Sequence, residues 1–513
     1  MSALEIPAPG PSHRRLWLAL GLGVFLIHLP ALTQYGWFRD EFYYVACARR
    51  LAWGYVDQPP LSIAILALVR ALAGESLAAL RIVAALAGAA SVYFTARLTR
   101  DLGGGAFAQA LAGTAMLLAP IFLGTSRFFS MNAFDVLLWT LAAVALVAAL
   151  REGGTARWSM LGVIVGLGLL NKISMMWFGL GMVVGLVLTP HRRQLLTPGP
   201  YVAAAIALGL FLPHLLWQIA NHWPTLEFMR NATAHKMAAV SPREFVAGQF
   251  LVMGMGNVLV YLPGLLYALF ARSGRAWRIF SLLFLAVAVV LVAAGTSRAN
   301  YLAVAYPPLF ALGGMAWERW SAHAPRLARG ALLAVVILLG LPWIPLALPV
   351  LPVGEYIRYQ AALGMKPSTE ERKEVGPLPQ HYADMYGWDE LVAEVGKAFA
   401  RLTPEEKKRA VVFGQNYGEA GAIDVLGRKL GLPSAVSGHN NYGLWGPGKW
   451  DGSVVIIIGG DRPDNAAFFD SVEVVGTWDH PYAMPYERHL DISIGRGLKS
   501  PPQAVWAQLR HYS

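Results

Sequence analysis

The strongest constraint on this chain is that long uncharged apolar runs recur from Leu16 to about residue 349. Each approaches the roughly 20 residues that a helix needs to cross a hydrocarbon layer. In lipid the backbone amides find partners only within their own segment, so runs of this kind must be helices. At 56% hydrophobic and 14% charged, the 513 residues are too apolar for a soluble fold. Eleven spans are expected, near 15–33, 77–97, 106–124, 134–150, 157–170, 173–189, 201–219, 248–270, 278–295, 303–318 and 330–349. The first follows Arg14 and Arg15 but has no small-x-small cleavage site, so it is expected to be retained. Leu61 to Gly74 is shorter and interrupted by Arg70, and is predicted to lie on the membrane surface.

Charge fixes the orientation. Residues 1 to 350 hold 25 Lys+Arg against 11 Asp+Glu, whereas residues 351 to 513 hold 17 against 20. The net +11 therefore arises from membrane topology, and nucleic-acid binding is not implied. Arginines cluster in alternate loops: Arg97 and Arg100; Arg151 and Arg157; Arg192 and Arg193; Arg272, Arg275 and Arg278; Arg319, Arg326 and Arg329. With those loops inside, the N-terminus is cytoplasmic and the C-terminal region lies outside. If Leu61 to Gly74 crossed, every later loop would invert and the arginine-rich loops would face outward. Cys47 is the sole cysteine, which excludes an intrachain disulfide.

Past Leu351 a polar, proline-bearing stretch (351–380) leads into a region of different composition, giving domains at 1–350 and 381–513 with a linker between. AVVFGQN and SVVIIIGG read as buried strands, EEKKRA and GEAGAIDVLGRKLG as helices, and together they predict a small α/β domain outside the membrane. The glycines of FGQNYGEAGAID do not follow G-x-G-x-x-G, so this turn is expected to serve packing, not nucleotide binding. GHNNYGLWGP, with its aromatic and amide side chains, is a candidate for recognising an acceptor.

Acids are scarce in the membrane half, and Asp40, Glu41, Asp57, Glu75, Asp135, Glu227 and Glu244 all fall at outer loops or outer helix ends. Ionisable groups at such depths are costly and are paired or functional. Asp40 and Glu41 also suit a helix N-terminus, which favours acids. Tyr44, Ala48, Leu51 and Tyr55 recur at helical spacing and predict an interfacial helix stopped by Pro59 and Pro60. Arg127, Lys172, His235, Lys236, Arg243 and Arg298 supply outward cations, near Asn132 and Tyr301. Such groups either bind an anionic headgroup or snorkel to lipid phosphates. Lys172, in the turn of an apolar hairpin, needs a partner more than the others do. Acids and cations at one outward cavity suit transfer of a sugar from a lipid phosphate. A carboxylate takes the acceptor's proton while cations stabilise the departing phosphate.

RDEFYYVACARRLAWGYVDQPPL resembles the first external loop of bacterial C-type (GT-C) glycosyltransferases of the protein O-mannosyltransferase-like group, which includes the lipid A aminoarabinose transferase. SMNAFDVLLWTL, NKISMMWF and NYLAVAYPPLFALGG match the same group in the expected order, so the resemblance covers residues 15 to 350. It implies a mainly α GT-C bundle with two juxtamembrane helices in the first external loop and an extracytoplasmic C-terminal α/β domain, in the bacterial inner membrane. It implies an inverting transfer from a polyprenyl-phosphate sugar to a glycan, lipid or protein acceptor. By position Asp40 matches the catalytic base or its organiser, Glu41 its neighbour, and Asp135 the acid heading the fourth span. Asp57 precedes the proline pair, and Lys172 falls near the donor phosphate. Arg127 and Arg298 are candidates beside Lys172, and Asp57, Gln58, Tyr301, His235 and Lys236 for contacts with substrate. Gln58 stands where relatives carry Lys, so a charge-recognition role does not transfer to it. No required metal is implied. A divalent cation shared by Asp40, Asp57 and Asp135 is the alternative, although no DxD pair or zinc-type spacing is present. A lipid-linked saccharide transporter and a non-catalytic assembly scaffold are the competing functions.

Overall fold

The computed structural model describes residues 6–513. The chain forms two compact units, each drawn from separate stretches of sequence. Of the described residues, the first comprises 6–32, 80–216 and 239–351, and the second 33–79, 217–238 and 352–513. The first external loop and residues 217–238, which sequence assigns to the 1–350 domain, thus pack with the C-terminal region.

The first unit is helical. Among the described residues, six helices are long and apolar enough to cross a membrane: Arg14–Ala31, Leu77–Leu102, Met131–Glu152, Gly199–Ala220, Arg272–Ala293 and Arg326–Ala347. The remaining expected spans correspond to shorter helices, including Ala106–Leu118, Gly154–Asn171, Met175–Val187 and Pro307–Trp320. The span expected at 248–270 is not continuous. Pro242–Met253 and Met255–Phe270 meet at a bend of 101°, because Gly254 takes a φ of +80° that ends the first helix. Small residues bring the helices close, as is usual where lipid supplies no hydrophobic drive between them. Gly162 and Gly166 sit against the backbone at Ala203 and Ala207, and Gly181 and Gly185 against Leu283 and Ile279.

The second unit holds a five-stranded sheet: β1 (Val411–Phe413), β2 (Ala435–Val436), β3 (Val454–Ile458), β4 (Phe469–Trp478) and β5 (Leu490–Leu498). Their order is β2-β1-β3-β5-β4. β1 runs parallel to β2 and β3, with Val412 opposite Ile456, whereas β3–β5 and β5–β4 are antiparallel. Every residue of β3 is buried, which explains its unbroken apolar run. Both strands expected from sequence form. β4 and β5 were not expected, since β4 is a largely exposed edge strand with little apolar alternation. The helices expected at EEKKRA and GEAGAIDVLG form as Pro404–Arg409 and Tyr417–Leu426.

The first external loop carries two helices, Arg39–Ala48 and Leu61–Ala73. The first is shorter than its spacing predicts. It ends at Ala48, so Leu51 and Tyr55 leave the expected face: Leu51 is exposed and Tyr55 buried. Nor does it present one apolar face outward. Residues 41–48 are all buried, because the helix packs within its unit against Tyr417–Leu426, with Phe42 over Gly421 and the stem of Arg39 over Gly418.

Candidate active site

In the second unit, the loop helix begins with its carboxylates in distinct surroundings. Glu41 is turned back on its own helix, where Oε2 accepts a hydrogen bond from the Phe38 N–H at 3.0 Å. This is half of a capping box and satisfies one of the amides that a helix start leaves without a partner. Asp40 points the other way and remains partly exposed, with 27% of its side chain accessible. The Tyr417 hydroxyl donates to Asp40 Oδ1 at 2.9 Å. Arg39 Nε lies 3.6 Å from the same oxygen and Arg39 Nη2 lies 3.5 Å from Asp384 Oδ2, so one guanidinium serves two acids. Arg39 also donates to the Tyr486 hydroxyl.

Asp57 is bound chiefly by neutral groups. The Tyr43 hydroxyl lies 2.8 Å from Asp57 Oδ1 and 2.9 Å from Asn441 Oδ1. Its single proton serves one acceptor at a time. Asn441 Oδ1 also accepts the Val56 N–H at 2.7 Å, which fixes the backbone just before Asp57. Burial pushes the Asp57 carboxyl up to about 6, against the Tyr43 hydrogen bond that favours its ionised form; Asp40 raises it further and Lys236 lowers it. Burial likewise pushes the Tyr43 phenol up, so it stays protonated and able to donate. Asp384 is pushed to about 7 by burial, with Arg39 opposing and Asp40, Glu487 and Glu371 adding to the rise.

Gln58 is buried beside Asp57, and neither its Oε1 nor its Nε2 has a hydrogen-bond partner. His235 and Lys236 close a π-helical turn, Ala232–Lys236. Lys236 lies 3.7 Å from Glu371, whereas His235 is exposed.

In the first unit, Met131–Glu152 starts at Ser130, whose hydroxyl accepts the Asn132 N–H at 3.2 Å. Asp135 is buried one turn in. Its Oδ2 accepts a hydrogen bond from Ser174 at 2.8 Å and lies 3.6 Å from Lys172 Nζ, while Oδ1 has no hydrogen-bond partner. Lys172 donates to Asn132 Oδ1 at 2.8 Å, and its ammonium stands 5.7 Å from the centre of the Tyr301 ring. The hairpin lysine thus has the partner its position demands. Arg298 opens the 3₁₀ stretch Ala299–Ala305 that carries Tyr301. Arg127 is buried, and its Nη1 donates to the Ala347 carbonyl at 2.9 Å.

Each unit therefore gathers part of the expected set: Asp40, Asp57 and Lys236 in the second, Asp135, Lys172 and Tyr301 in the first. Among the described residues no group of three or more His, Cys, Asp or Glu is placed to hold a metal ion. Sequence reasoning gave no role to Tyr43, Tyr417 or Asp384, and reached Asn441 only as part of GHNNYGLWGP, the acceptor-recognition candidate. Two of these lie in the repeated Asn-Tyr-Gly of Asn416–Gly418 and Asn441–Gly443, a signal visible in the sequence but without any indication of its partner.

Comparison with known proteins bears out the sequence resemblance. Residues 57–217 match the family model described as dolichyl-phosphate-mannose-protein mannosyltransferase. ArnT from Cupriavidus metallidurans, solved bound to undecaprenyl phosphate, aligns over 93% of this chain and 97% of its own, with a TM-score of 0.62 at 16% identity. The same protein in the apo state aligns over the same shares at 0.59 and 16%. No curated protein sequence matches the chain. The fold is the GT-C type, in a multi-pass membrane protein with a small C-terminal α/β sheet domain.

Proposed function

We propose that this protein is a glycosyltransferase that moves a sugar from a polyprenyl-phosphate carrier to an acceptor hydroxyl or amine at the outer face of a bacterial inner membrane. The observation that carries the proposal is the pair Asp40 and Asp57, both partly buried and each held by a tyrosine hydroxyl, in the first external loop of a chain with a GT-C fold. The binding of undecaprenyl phosphate by the Cupriavidus protein supports the class of donor.

The acceptor oxygen or nitrogen attacks the anomeric carbon as the carbon–oxygen bond to phosphate breaks, and that bond's electron pair leaves on the phosphate. Asp40 takes the acceptor's proton. Single displacement of this kind inverts the anomeric centre. Asp57, ionised above about pH 6, holds the acceptor by a second hydrogen bond. In the first unit, Asp135 and Asn132 aim the Lys172 ammonium, whose charge suits the phosphate of an anionic lipid carrier. Glu41 contributes by capping the helix that carries Asp40. Nothing in this scheme requires a divalent cation. The outward orientation follows from the arginine distribution of the loops.

The test is incubation of the full-length protein in lipid nanodiscs with a panel of undecaprenyl-phosphate sugars and bacterial envelope extracts as acceptors. Release of undecaprenyl phosphate with a glycosylated product is expected; no cleavage of any donor would overturn the proposal. Comparing envelope glycans of a deletion strain with its parent then identifies the acceptor. The 101° break at Gly254 favours a second reading, since transporters use broken helices. Flux of an intact lipid-linked sugar across proteoliposomes would support that reading instead.

A further inference from the structure

Three features tie the loop helix Arg39–Ala48 to Tyr417–Leu426 within the second unit. At its start, Tyr417 donates to Asp40 at 2.9 Å and its ring lies 5.6 Å from the Arg39 guanidinium. At its middle, Gly421 admits Phe42 so closely that a Cβ there would stand 2.7 Å from the Phe42 Cβ, and Gly418 likewise admits the Arg39 stem. At its end, Arg49 Nη1 donates to the Asp424 carbonyl at 2.8 Å. A second strut reaches the acid at the far end of the loop. Asn441 accepts the Val56 N–H and lies within hydrogen-bond distance of Tyr43, which in turn meets Asp57. The Tyr43 and Tyr417 rings pack with centres 4.6 Å apart at a tilt of 32°, which joins the two struts.

We infer that the α/β domain is a positioning module for the reaction, in which Tyr417 and Asn441 set the carboxylates of Asp40 and Asp57 and the Gly418–Gly421 seat fixes the depth of the helix carrying Asp40. The inference rests on the proposed glycosyl transfer for its consequence, though not for the docking itself. Both are positioning residues. They act through the acids, and a carboxylate displaced by about 1 Å can lose as much as a hundredfold in rate without weakening substrate binding.

Tyr417→Phe removes one hydroxyl and keeps the packed ring; Asn441→Ala removes the second strut. With the polyprenyl-phosphate sugar that the donor panel identifies, each is expected to lower kcat by about tenfold to a hundredfold while KM for donor and acceptor stays within about twofold. Gly421→Leu is expected to speed hydrogen exchange of the 38–48 amides in the full-length protein and leave β3 protected. Unchanged kcat in both strut variants overturns the inference, as does wild-type exchange of the loop amides in Gly421→Leu. If the wild-type protein transfers no sugar, the functional reading falls, and the exchange measurement still decides the docking.

Discussion

The carboxylate of Asp135 has an ammonium for a neighbour, whereas Asp40 and Asp57 each accept from a phenol, Tyr417 and Tyr43, with one guanidinium divided between Asp40 and Asp384. The two arrangements do different physical work. A full countercharge beside a buried carboxylate offsets the cost of its burial and ties its direction to the cation, whereas a hydroxyl donor orients an acid without adding charge. On this contrast Asp135 is suited to aiming Lys172, and Asp40, partly exposed at the start of the loop helix, is open to an acceptor.

The comparison breaks most visibly at Asp40. Asp40→Asn keeps shape and hydrogen-bond capacity but cannot accept a proton, so kcat for transfer is expected to fall by about 10²–10⁴-fold with expression unchanged. Full activity in that variant would remove Asp40 from the chemistry. On the other side, Lys172→Met leaves Asp135 buried without its cation. Loss of about 2–3 kcal/mol is expected in denaturant unfolding, below the full cost of an orphaned buried charge because the ammonium is partly exposed. Most of it should return in the Asp135→Leu, Lys172→Met double variant.

Titration sharpens the difference further. An acid whose pKa is raised by folding binds its proton more tightly folded than unfolded. Wild-type stability should therefore fall as pH rises from the ordinary carboxylate range, about 4, through the Asp57 value of about 6, and Asp57 should add no further change above that. Asp57→Asn is expected to melt higher than wild type at pH 7 and to converge with it near pH 4. A pH-independent offset between the two would contradict the assignment. The smallest expected effect is at Glu41. Glu41→Gln weakens a cap, costing about 0.5–1 kcal/mol, and should leave kcat within about twofold of wild type. A larger drop in kcat would return Glu41 to the reacting groups.

Much of this was legible in sequence where the signal is local. The apolar runs announce membrane helices because spanning lipid is a matter of length and composition within one segment, and β1 and β3 announce themselves by short apolar runs ending in Gly. The pairing of Lys172 with Asp135 was foreshadowed by the improbability of a lone lysine in an apolar hairpin. Other features escaped for identifiable reasons. The helical spacing of Tyr44 to Tyr55 overran the true end at Ala48 because burial inside the second unit, not an exposed amphipathic face, determines that segment. β4 was missed because an edge strand needs no apolar alternation, and the bend at Gly254 because an isolated glycine in an apolar run reads as tolerated.

By itself, then, the sequence determined which segments are apolar enough for lipid, which loops carry positive charge, and that acids gather at the first external loop. These follow from transfer free energies that act residue by residue. Only the tertiary structure decided which neutral groups hold those acids, since Tyr417 meets Asp40 across 377 positions and Asn441 meets Tyr43 across 398. A hydrogen bond from a neutral group so distant leaves no periodicity or charge pattern behind. It exists only once the packing of Phe42 into the glycine seat has brought the two stretches together.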